Sequence, residues 1–156
     1  MSGADLLTLG TRILLVALFL PFSALDKTLN FHGAVGQARE VAPSEGLAKI
    51  LIAAGLGVEI VMPLLIVTGV ADRAAALVMA LYCVATAALF KRFWEPGDFW
   101  ARGDSQARTL FWDFWKNVAL AAGFLLITLG PTARGVGALF ADPLGSTHPY
   151  GTVPHG

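Results

Sequence analysis

Four stretches of this chain are apolar for about as long as a helix needs to cross a bilayer, which takes about 20 residues. They run roughly from Leu6 to Leu25, Leu47 to Val70, Arg73 to Phe90 and Leu110 to Leu129. In lipid the backbone must satisfy its own polar groups, so runs of this kind read as helices. The composition agrees: 56% of the 156 residues are hydrophobic and 14% are charged, against about 25% charged in an average soluble domain. Only the link GVADR separates the second and third runs, whereas DKTLNFHGAVGQAREVAPSEG and KRFWEPGDFWARGDSQART are long, mixed connections on one side. The expected fold is all-α, an integral membrane four-helix bundle with antiparallel up-and-down topology over residues 1–130. A Gly/Pro-rich C-terminal tail, 131–156, follows and is expected to be poorly ordered. A cleaved signal peptide is the alternative for the first run, but Arg12 interrupts its start and the run is long.

Several function classes drop out. The net charge is zero, so no basic field argues for nucleic acid. A single cysteine, Cys83, excludes an internal disulfide and any CxxC pair. The histidines are His32, His148 and His155, too few in the spans for a bis-histidine haem, so neither haem nor metal is expected. Redox chemistry here needs an organic cofactor or a partner subunit. Lys27, Arg39, Lys49, Lys91, Arg92, Arg102, Arg108 and Lys116 lie on the side of the long connections, against Arg12, Arg73 and Arg134 on the side of the termini. This bias places the long connections inside and both termini outside.

Charge within the apolar runs marks the candidate site. Glu59 is the one charged residue in LIAAGLGVEIVMPLLIVTGV, residues 51–70. Such a carboxylate needs either a partner or a use. At 100° per residue, Asp5, Thr8, Val16, Phe19, Ser23, Asp26 and Asn30 fall on one stripe with Arg12, which should face the bundle interior. Arg12 is expected to reach Glu59 and form a buried pair, which leaves a structural and a proton-handling role both open. Gly55, Glu59 and Pro63 share a face; the proline cannot donate to the Glu59 carbonyl, and the glycine allows a close approach. Tyr82 and Thr86 share a face of the third span beside Cys83, while Asp113, Lys116 and Asn117 open the fourth. Tyr82 as a packed aromatic, and Asp26, Lys27 and His32 as water-facing residues, are the plainer readings. Trp94, Trp100, Trp112 and Trp115 fall within 22 residues, together with Phe93, Phe99, Phe111 and Phe114. They read as an interfacial belt or as an aromatic mouth for a flat lipophilic molecule.

RILLVALFLPFSALDKTLNF, EIVMPLLIVTGVADRAAAL, FKRFW and FWKNVALAAGFLLI resemble the DoxX family of small bacterial four-helix membrane proteins, over roughly Thr8 to Leu129. The shared elements are Arg12, Asp26 with Lys27, Glu59, Gly69 with Arg73, and Lys116 with Asn117. The resemblance implies a multi-pass protein of the bacterial inner membrane associated with membrane-bound oxidoreductases, including relatives similar to thiosulfate:quinone oxidoreductase subunits. The expectation is therefore the membrane subunit of a quinone-linked oxidoreductase. Glu59, Arg12 and Asp26 are its catalytic candidates, and Tyr82, His32, Trp94, Trp100, Lys116 and Asn117 its quinone-binding candidates. Its expected partners are the lipid bilayer, a soluble or membrane redox subunit that supplies electrons, and, as an open case, a second copy of the chain. The alternative is a non-enzymatic membrane scaffold or a carrier of a small lipophilic molecule.

Overall fold

The computed structural model describes residues 1–130 and 135–150. Arg134 and His155 lie outside the described residues. Four segments are long and apolar enough to span a membrane: Gly3–Leu29, Glu45–Thr68, Asp72–Phe90 and Gln106–Leu129. They form the expected all-α antiparallel bundle; the first, second and fourth spans start two to four residues before the sequence estimate, each after a serine cap, the third starts one residue early, and the second ends two residues sooner at Thr68.

The first span is built from α1 (Gly3–Val16), a π-helical turn (Leu18–Ser23) and α2 (Ala24–Leu29). Ser2 caps α1: its hydroxyl accepts from the Asp5 amide and the Asp5 carboxylate accepts from the Ser2 amide, a reciprocal box. The break has a local cause. Pro21 disfavours a helical conformation in the residue before it, and Leu20 is extended at φ −121°, ψ 113°. Asp5, Arg12, Val16 and Phe19 are buried, so the expected inward stripe holds up to the break, whereas Asp26 and Asn30 beyond it are exposed.

After α3 (Phe31–Ala38), which folds the first long connection back on α4 through Val35, Ala38, Ala42 and Ala48, the remaining spans follow. They are α4 (Glu45–Thr68), α5 (Asp72–Phe90) and α6 (Gln106–Leu129). Ser44 and Ser105 cap α4 and α6 by accepting from the amides three residues on. α5 packs between α4 and α6. Its Ala75, Ala76, Met79, Ala80, Cys83 and Ala87 are buried, small residues for the most part, which lets neighbouring backbones approach closely. Phe19, Ile66 and Phe124 pack against that face.

The α4–α5 link is tight. Gly69 ends α4 at φ +76°, a left-handed position that suits glycine, and a Cβ there would meet the Pro149 ring at 2.8 Å. Residues 135–150 of the expected tail pack against the bundle. After α7 (Gly135–Ala141) the chain returns over this link. The Thr147 amide donates to Asp72 at 2.8 Å, and the Tyr150 hydroxyl donates to the Val67 carbonyl.

Candidate functional site

Among the described residues two buried charge clusters lie at different depths of the bundle, one at the α4–α5 link and one near mid-span, and their partners differ from the expected Arg12–Glu59 pair. Arg12 donates to Asp72 at 2.7 Å, to the Ile66 carbonyl at 2.6 Å and to the Thr147 hydroxyl at 2.9 Å. Glu59 instead meets Lys27. The reason is register. α1 and α4 run antiparallel, so the start of α1 faces the end of α4, where Ile66 and the link lie. Glu59 is seven residues back from Ile66 in α4, about 10 Å of helix rise, which sets it beyond the reach of Arg12.

Around Glu59 the donors converge on one oxygen. Oε1 accepts from Ser23 at 3.0 Å, from Tyr82 at 2.8 Å and from Lys27. The Lys27 ammonium also donates to Ser23 at 3.1 Å and to Tyr82 at 3.2 Å. An ammonium has three N–H donors, so all three are used, and both hydroxyls accept from it while donating to the carboxylate. Glu59 is 2% exposed, yet its second oxygen, Oε2, is buried without a hydrogen-bond partner. A buried acceptor left unmade is costly. Gly55 has a specific task one turn before Glu59: a Cβ there would stand 3.2 Å from the Tyr82 hydroxyl. The close approach read from the sequence is therefore made by the tyrosine.

This cluster forms part of the wall of a cavity of about 770 Å³. Leu18, Phe19, Ile52, Val58, Leu89 and Phe90 supply apolar wall, and Asp26, Lys91 and Asn117 add polar groups. Of the candidates from sequence, Glu59, Tyr82, Asp26 and Asn117 line this cavity, although the Asn117 amide donates to the Asp113 carbonyl at 2.9 Å. Arg12 belongs to the other cluster. His32 is exposed and Lys116 points to Asp113 at 3.2 Å; neither lines the cavity. Trp94 and Trp100 are exposed and are also absent from its wall. Sequence reasoning missed Lys27, Ser23 in its paired role, Asp72 and Thr147. Lys27 could have been found, being four residues after Ser23 and so on the same helical face.

The tryptophans join a network of edge-on aromatic contacts with Phe93, Phe99, Phe111 and Phe114, including Phe93–Phe111 at 5.2 Å and Phe99–Trp100 at 4.9 Å between centroids. Their loop is tied down. The Asp98 carboxylate accepts from the Gln106 and Ala107 amides at 2.7 and 2.9 Å, and Arg108 donates to the carbonyls of Phe99, Ala101 and Gly103. The backbone donors, that of Ala107 first, hold the Asp98 carboxyl below its ordinary range. Among the described residues no group of three or more His, Cys, Asp or Glu side chains is placed to hold a metal ion.

Comparison with known proteins adds two findings. The family model DoxX matches residues 7–92, which contain Arg12, Lys27, Glu59, Asp72 and Tyr82. The chain is also 32% identical over 142 residues to inner membrane protein YphA of Escherichia coli strain K12, covering 90% of this chain and 91% of that protein. No solved structure gives a significant match.

Proposed function

This chain belongs to the DoxX family, and on that premise we propose that it is the membrane subunit of a quinone-linked oxidoreductase, its cavity at Glu59 the site of a quinone head group. The relative's name, an inner membrane protein, supports the same multi-pass location for this chain. One observation carries the reading: a buried carboxylate with one saturated and one unpartnered oxygen stands in the wall of a largely apolar cavity. Small-molecule sites typically enclose roughly 300–1,000 Å³ with a few convergent polar groups, and about 770 Å³ with Glu59, Tyr82 and Lys27 fits that description.

A bound quinone supplies a carrier of two electrons and two protons. The chain's own residues hold the protons. Oε1 of Glu59 is fixed by three donors, so Oε2 is the oxygen left to carry a proton, which it would hand to a ring oxygen as the partner's electrons reduce the quinone. Asp26, exposed at the cavity's polar edge, exchanges protons with water. Electrons come from a partner subunit, because none of these groups is redox-active. The saturation of Lys27 also favours a second reading, a scaffold or lipophile carrier in which the cluster only locks helix packing. Organic extracts of the purified protein separate the two. The proposal expects quinone in the wild type and its loss in Glu59→Gln, with the variant still folded. A wild type purified from quinone-rich membranes without any quinone contradicts it.

A further inference from the structure

A second cavity, of about 740 Å³, lies at the opposite end of the bundle, between α1 and α6, and shares no lining residue with the first. Its walls are mainly apolar. Leu7 and Leu126 on its rim are 76% and 64% exposed, on surfaces that meet lipid when these helices span a membrane. Arg12 and Arg73 supply its charge. Arg12 is neutralised: the Asp72 carboxylate takes its NH1, and the remaining donors to Asp72 come from Thr147. Arg73 is different. It forms no ion pair among the described residues, and its Nε is buried without a hydrogen-bond partner. An arginine that merely snorkels to water would keep that nitrogen wet.

Arg73 is also the second residue of α5, which puts a positive side chain in the first turn, where the helix end is itself positive. As the start of a span, this position lies at the depth of lipid headgroups. The site thus combines an uncompensated guanidinium, suited to bidentate phosphate contact, with an apolar groove running along α1 and α6 toward the lipid. A free anion would use the first feature and leave the groove empty. We propose that this cavity binds an anionic phospholipid, its phosphate held by Arg73 and an acyl chain lying between Leu15 on α1 and Ile127 on α6.

The test uses the full-length protein in a neutral detergent, with native mass spectrometry and thermal unfolding as readouts. Phosphatidylglycerol should remain bound through delipidation and raise the unfolding temperature more than phosphatidylcholine does. Inorganic phosphate alone should not. Arg73→Gln should weaken phosphatidylglycerol binding by at least about tenfold, the loss of one charge-assisted contact. Arg73→Lys should keep part of the preference. Equal effects of the two lipids, or undiminished phosphatidylglycerol binding in Arg73→Gln, would overturn the proposal. Protection by inorganic phosphate equal to that by lipid would also overturn it, in favour of a free-anion site. Should Arg73→Gln fail to fold, the wild type decides alone: no retained phosphatidylglycerol, or no preference over phosphatidylcholine, rejects the site.

Discussion

Among the described residues the bundle contains two buried ion pairs, Arg12–Asp72 and Lys27–Glu59, and they are closed to different degrees. Asp72 is fully buried, and both its oxygens are occupied, by Arg12 and by the Thr147 amide and hydroxyl. The returning tail sits directly on it. Glu59 is nearly as buried, but one oxygen takes all three donors and the other takes none, and Lys27 beside it keeps 22% of its side-chain surface. Geometry of the first kind leaves nothing for a ligand to complete. The second leaves one acceptor unpartnered in a residue that lines a cavity, so depth of burial alone does not separate a structural pair from a functional one.

The largest effect should come from breaking the closed pair. Arg12→Met leaves Asp72 buried and uncompensated, and thermal unfolding in detergent should show a loss of about 3–5 kcal/mol. Adding Asp72→Leu should recover much of it, since an apolar pair of similar volume removes the stranded charge. Full stability of Arg12→Met alone would mean that the cluster is not a lock.

Breaking the open pair should cost less. In Glu59→Gln the amide oxygen still accepts from Tyr82 and Ser23, and Lys27, partly exposed, can turn toward the cavity. The expected loss is about 1.5–3 kcal/mol, that of one charge-assisted bond, and the functional loss should be far larger than the structural one. A Glu59→Gln variant as unstable as Arg12→Met would make the two clusters equivalent and return Glu59 to a packing role.

Smaller changes sharpen the contrast. Tyr82→Phe removes one hydrogen bond to Glu59, about 1 kcal/mol, and should weaken binding of a quinone analogue at the first cavity while leaving lipid retention at the second unchanged. Trp94→Ala and Trp100→Ala touch neither cavity wall, and analogue binding should stay near wild type if these residues form a belt. Loss of binding in either would make the loop a mouth. The smallest expected effect is acid loosening of that loop. Because Asp98 titrates lower in the fold than in an unfolded chain, its hold on α6 is present above the ordinary aspartate range and is lost as pH falls through the depressed value. Hydrogen exchange at the Gln106 and Ala107 amides should rise over that window and not at neutral pH.

The spans, their antiparallel order and the inward stripe on α1 were legible because period and hydropathy are local properties. Glu59 stood out for the same reason. Its partner did not, because pairing across helices depends on register, and register depends on where each helix starts and breaks. The start of α1 at Gly3 and the break before Pro21 together moved Arg12 to the link and brought Lys27 inside. Asp72, read as part of a sharp link, belongs to the first turn of a span. The docking of Thr147 and Tyr150 had no local signal at all: a Gly/Pro-rich segment carries no periodicity, and its contacts are 75 and 83 residues away in sequence.

The central claim, that the open pair marks the quinone site and the closed pair does not, is tested most directly by labelling the protein in native membranes with a photoreactive quinone and mapping the adducts by mass spectrometry. The account predicts adducts on the segments that line the first cavity, Leu18–Lys27, Ala54–Glu59 and Tyr82–Phe90, competed by unmodified quinone and diminished in Glu59→Gln. Adducts confined to the Trp94–Trp100 loop or to the Arg12 end of the bundle, or a pattern that excess quinone leaves unchanged, would contradict it.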